Sequence, residues 1–138
     1  MKIHASAVGL ALLLGACAGD PWPGVYDGTV TTEGSTCDGA LLDPDTKVIA
    51  VRVERGMAGL FINGTCLLTL QELSSTSARV RPTTCESVVG DELSRFTVIE
   101  GRAQLAGSRL GLEYTVRVES LASSGCVEAL ATFEGTRR

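Results

Sequence analysis

The residues able to do chemistry in this chain are few. Histidine occurs once, as His4, inside an N-terminal apolar leader. Once that leader is removed the chain holds no imidazole. This excludes Ser-His-Asp and Cys-His catalysis, imidazole metal ligation and a histidine pH switch together. Lys47 is the only lysine outside the leader. It opens an alternating stretch with no sign of burial, so a serine or threonine nucleophile lacks an activating base. Carboxylates are plentiful, but Glu54, Glu113, Glu119 and Glu128 fall on the polar side of alternating segments instead of converging across a cleft. Asp38, Asp43 and Asp45 gather in one loop and offer oxygen ligands for calcium. They lack EF-hand spacing and Pro44 interrupts them, so a plain acidic turn is expected. No phosphate-binding glycine pattern follows a strand. The expectation is a protein that is not an enzyme and holds no cofactor and no metal.

Cysteine carries what chemistry remains. The five are Cys17, Cys37, Cys66, Cys85 and Cys126. None stands in a C-x-x-C pair, which argues against a zinc site of four thiolates. Cys17 is set apart by its surroundings. Met1-Lys2-Ile3-His4 forms a short positive start, and the run from Ala7 to Leu14 is too short to span a bilayer about 30 Å thick. The run ends in small residues, as a secretory signal does. The tetrad Leu14-Gly15-Ala16-Cys17 resembles the lipobox of bacterial lipoproteins, with Gly15 where Ala or Ser is usual. The resemblance covers residues 1–17. It implies a signal helix over residues 1–16 that is removed, a lipid on Cys17 and a tether over residues 17–24. Ala18 after the cysteine implies transport to the outer membrane, with the protein on its periplasmic face or surface. Several acyl chains anchor firmly, each buried methylene contributing about 0.8 kcal/mol.

Taking Cys17 for lipid leaves an even number of cysteines. In an oxidising compartment these read as two disulfides. The formal charge is −4 with Lys2 and −5 without it, and the charges are scattered singly. No basic stripe or aromatic platform is present, so nucleic acid is not an expected partner.

The elements that position these residues are strands. Residues 25–32 are rich in β-branched side chains. In 47–55, Ile49, Val51 and Val53 alternate with polar residues. Leu60-Phe61-Ile62, Asn63-Gly64 and residues 65–70 form a hairpin signal, since Asn-Gly readily takes the positive φ angles of a type I′ turn. Asn63-Gly64-Thr65 also fits a glycosylation sequon, which the turn explains better. Short strands follow at 78–81, ended by Pro82, and at 96–105, either as two across Gly101 or as one bulged strand. Leu110, Leu112, Tyr114, Val116 and Val118 mark a long half-buried strand. Val127, Ala129, Ala131 and Phe133 mark the last. The fold expected over residues 25–138 is all-β, an antiparallel meander of about eight strands forming a small barrel, with a β-sandwich as the alternative.

Tyr26-Asp27-Gly28-Thr29 echoes Phe133-Glu134-Gly135-Thr136, as if the first and last strands were neighbours closing the barrel. If they pair with Gly28 opposite Gly135, Cys37 falls beside Cys126. If strands 66–73 and 78–85 form a hairpin about Ser74 to Ser77, Cys66 lies roughly opposite Cys85. Of the three possible connectivities, the nested Cys37–Cys126 and Cys66–Cys85 pattern is therefore expected. Gly24 and Tyr26 are similar to the Gly-x-Trp opening of lipocalin-like barrels, with Tyr for Trp. That resemblance implies an up-and-down barrel whose interior holds an apolar ligand; a core filled by side chains is the competing expectation.

The function expected is a lipid-anchored cell-envelope protein, a non-enzymatic binding or structural module. The alternatives are a lipocalin-like carrier of an apolar small molecule and an inhibitor of an envelope enzyme such as lysozyme or a protease. The expected partners are the membrane, through the lipid on Cys17, and an envelope protein or apolar ligand. Thiol reagent added to the denatured, unreduced mature protein should modify no cysteine. Labelling at Cys37, Cys66, Cys85 or Cys126 would contradict two disulfides.

Overall fold

The computed structural model describes residues 19–59 and 66–138. The expected signal helix, Cys17 and the Asn63-Gly64 turn lie outside the described residues. Among the described residues there is no helix, and nine strands occur: β1 (Gly24–Thr36), β2 (Asp45–Glu54), β3 (Met57–Gly59), β4 (Leu67–Glu72), β5 (Ser77–Val80), β6 (Thr83–Val89), β7 (Glu92–Ala106), β8 (Arg109–Ser120) and β9 (Cys126–Arg137). All pairings are antiparallel. The strands form one sheet in the order β5-β4-β3-β2-β1-β9-β8-β7-β6, and β5 also pairs with β7. That last pairing turns the sheet into a ring. A single closed sheet excludes the sandwich alternative.

The ring has a long wall of β1, β9, β8 and β7, closed by a strap of β2, β3, β4 and β5. β1 runs beside β9 from Tyr26 to Thr36, and β8 runs beside β7 and β9 over comparable lengths. Among the described residues, β3 meets β2 at Val53–Ala58 and Glu54–Met57. β4 meets β5 from Leu70–Val80 to Glu72–Ala78, and β5 reaches β7 at Gly101–Gln104. The strap therefore closes the ring at the end where β1 begins. β6 continues from β5 along the same edge of β7, with Pro82 between them. Proline has no N–H to give to a ladder, which accounts for the interruption.

Side chains alternate in and out of the ring. Tyr26, Val30, Val51, Val53, Leu68, Val80, Leu110, Leu112, Tyr114 and Phe133 point inward and are buried. On β7 the alternation changes phase. Phe96 and Val98 face in, then Ala103 and Leu105, because the register with β8 slips between Val98 and Glu100. The extra residue, Ile99, is left exposed. This is a β-bulge, and 96–105 is one bulged strand.

β6 and the first residues of β7 form a hairpin that apolar alternation does not announce. Its inward residues are Cys85, Ser87 and Ser94, while Val88 and Leu93 face outward. Ser87 and Ser94 are buried. The apolar pattern is thus inverted over 83–94, which hides the strands from a search for a periodic apolar face.

The first and last strands meet with Gly28 opposite Gly135. The approach there is closer than a side chain allows. A Cβ on Gly28 would overlap the Glu134 carbonyl oxygen and the Gly135 Cα, and one on Gly135 would overlap the Phe133 ring. Gly28→Ala should therefore cost about 3 kcal/mol or more, at the upper end of overpacking penalties. Denaturant unfolding checks this, and a loss under about 1 kcal/mol would contradict the close approach.

Candidate functional site

The four described cysteines form two disulfides. Cys37 joins Cys126 with Cα atoms 5.4 Å apart, and Cys66 joins Cys85 at 5.9 Å. The β1–β9 register brings the first pair together, and the Cys37 amide donates to the Cys126 carbonyl at 3.1 Å. The β4–β5 pairing about residues 73–76 brings the second pair together.

At the end where β1 begins, the ring is plugged. Trp22 and Tyr26 are buried. The Tyr26 hydroxyl donates to the Trp22 carbonyl at 2.8 Å and accepts from the Arg137 guanidinium at 2.6 Å. The same guanidinium lies 5.2 Å from the centre of the Tyr26 ring and also donates to the Pro21 carbonyl. A cation over an aromatic face adds about 0.5–2 kcal/mol depending on desolvation. Trp22 Nε1 and Arg137 Nε are buried with no hydrogen-bond partner among the described residues. Tyr26 and Gly24, singled out in the sequence, thus belong to a structural plug, with Arg137 as a partner that the sequence did not point to.

The middle of the ring is filled by Phe96, Phe133, Leu68, Leu110, Leu112 and Tyr114. Burial pushes the Tyr114 phenol well above its ordinary value.

The carboxylates stand outside, and several are paired across neighbouring strands. Glu128 accepts from Arg117 Nε at 2.9 Å, with Glu119 4.0 Å from the same guanidinium. Arg102 lies 3.7 Å from Glu113, and Arg95 lies 3.2 Å from Glu86. Arg138 bonds both oxygens of Asp27 at 2.8 and 2.9 Å, which holds that carboxyl below its ordinary range. Such exposed pairs are screened by water and orient side chains more than they stabilise. Glu54, also expected on the polar face, is exposed.

Asp38, Asp43 and Asp45 do not converge. Among the described residues no group of three or more potential ligands is placed to hold a metal. Asp45 pairs with Lys47 at 3.1 Å. Asp38 accepts from the Thr36 hydroxyl, which lowers its pKa.

The loop carrying these aspartates is internally fastened. The Thr36 amide donates to the Ala40 carbonyl at 2.8 Å, the Ala40 amide to the Thr36 hydroxyl at 2.9 Å, and the Leu42 amide to the Gly34 carbonyl at 2.9 Å. Ser35 and Leu41 form an isolated bridge. With the Cys37–Cys126 bond, these contacts hold Leu41 outward at 89% exposure. The sequence does not announce this feature, because a single leucine in a loop carries no periodic signal.

Open grooves lie on the outer wall. One of about 650 Å³ sits where Pro82 and the bulge interrupt the sheet, beside Arg79, Arg102, Glu100 and Glu113. Another of about 510 Å³ lies beside Leu41, Leu42, Pro44 and Leu130. Comparison of the chain with family models, curated proteins and solved structures finds no match in any of the three.

The plug is testable by itself. Tyr26→Phe removes the donor to the Trp22 carbonyl and the acceptor for Arg137 but keeps the ring. It should cost about 1–3 kcal/mol, the range for leaving buried polar groups unsatisfied. Thermal unfolding with unchanged far-ultraviolet circular dichroism would show this. An unaltered melting temperature would mean the hydroxyl contacts are dispensable.

Proposed function

We propose that this chain is a lipid-anchored cell-envelope protein that acts as a non-enzymatic binding or structural module, held through Cys17 at the outer membrane. The observation that carries the reading is the division of the cysteines. Four are consumed in two disulfides. The fifth, Cys17, is the one in the Leu14-Gly15-Ala16-Cys17 setting. Paired cysteines are the norm in oxidising compartments, which supports an extracytoplasmic location. Residues 19–23 lead into the plugged end of the ring, so the tether and the domain meet at a rigid joint fixed by Trp22, Tyr26 and Arg137.

The filled interior supports binding at the outer surface over carriage of an apolar small molecule inside the ring. A second reading, inhibition of an envelope enzyme such as lysozyme or a protease, is favoured by one observation. It needs a protruding side chain on a firm loop, and Leu41 is such a side chain.

Cys17→Ser tests the anchor. In fractionated cells the variant should move from the membrane to the soluble fraction. Unchanged membrane association would contradict a lipid on Cys17.

A further inference from the structure

We propose that the loop 37–44 and the adjacent outer face of β9 form the recognition surface of this protein, and that its partner is a folded basic protein with an apolar pocket for Leu41. This deepens the binding-module reading and rests on it.

Four apolar residues lie together here: Leu41, Leu42, Pro44 and Leu130 border one depression of about 510 Å³. Leu41 is 89% exposed, a position that water disfavours for a leucine and that the fold does nothing to relieve. The loop is held by backbone hydrogen bonds on both sides of Leu41 and by the Cys37–Cys126 bond. A side chain presented in one fixed geometry loses little conformational freedom on binding, which favours affinity. A protruding leucine is complementary to a pocket, and a pocket requires a folded partner.

Charge selects the kind of partner. Glu33 lines the depression, Asp38 and Asp43 stand in the same loop as Leu41, and none of the three makes an ion pair with a cation among the described residues. The nearby Asp45 and Glu128 are already matched by Lys47 and Arg117. The rim is therefore net negative, and the charge-complementary surface carries lysine or arginine. An anionic lipid surface would be repelled by the same carboxylates. Position agrees with this. The loop follows the last residue of β1 and the tether precedes its first, and thirteen extended residues separate the two by about 40 Å. A lipid on Cys17 would leave the loop facing away from the membrane.

The test is site-specific photo-crosslinking of the full chain in the cells that make it. p-Benzoylphenylalanine replaces Leu41 in one variant and Glu72 or Arg109 in two controls. The expected result is an adduct from position 41 with a basic protein, absent from positions 72 and 109. Binding of that protein, once purified, should weaken at least about tenfold in Leu41→Asp, as for a central interface anchor. It should also weaken as ionic strength rises, while the variant's melting temperature stays unchanged. No adduct at position 41 overturns the proposal, as does an adduct there with lipid, polysaccharide or an acidic protein. Adducts at 72 or 109 alone overturn this surface while leaving a binding module in place. Unchanged affinity in Leu41→Asp overturns the role of the leucine. Membrane fractionation of Cys17→Ser reads the anchor separately.

Discussion

Where the first and last strands meet, two glycines face each other at a distance no side chain would allow. That approach pins the register of β1 against β9, and much else follows from it. Counting along the two strands from Gly28 and Gly135 in one direction reaches Cys37 and Cys126, which bond. In the other direction it reaches Tyr26 and Arg137, which close the end of the ring. A slip of one residue would turn the inward side chains of β1 outward and separate both pairs. The glycine contact, the disulfide and the plug therefore depend on the same register at three points along it.

Magnitudes separate what holds the fold from what decorates it. Each fully buried large side chain in the ring contributes about 1.5–3 kcal/mol. The cross-strand ion pairs outside are screened by water and contribute far less. Disulfides of this kind typically contribute about 2–4 kcal/mol, largely by constraining the unfolded chain. The inward face is thus committed to stability, and the outer wall and its loops do not share that role. Leu41 makes the point in reverse. It is apolar, exposed and firmly held, and burial within the chain explains none of these properties.

The all-β class was legible because β-branched alternation dominates 25–32, 47–55 and 110–119. The β1–β9 register was legible because the motif around Gly28 recurs around Gly135. The hairpin of β6 and β7 was not, since its inward positions are Cys85, Ser87 and Ser94 and its apolar residues face out. The start of β3 at Met57 was not, since Met57-Ala58-Gly59 carries no β-branched residue. The candidate site was legible only in part. Cysteine counting located the two disulfides, and the Gly24-x-Tyr26 opening located half of the plug. Arg137 and Leu41 escaped because each acts through tertiary placement: one reaches back over Tyr26, and the other is exposed by the loop that carries it.

Disulfide mapping tests the register of β1 against β9 most directly. Trypsin sites at Lys47, Arg79 and Arg95 place the four cysteines on separate peptides. Digestion of the unreduced protein followed by mass spectrometry should give one linked pair containing Cys37 and Cys126 and another containing Cys66 and Cys85. A link from Cys37 to Cys66 or to Cys85 would contradict the register and the ring built on it.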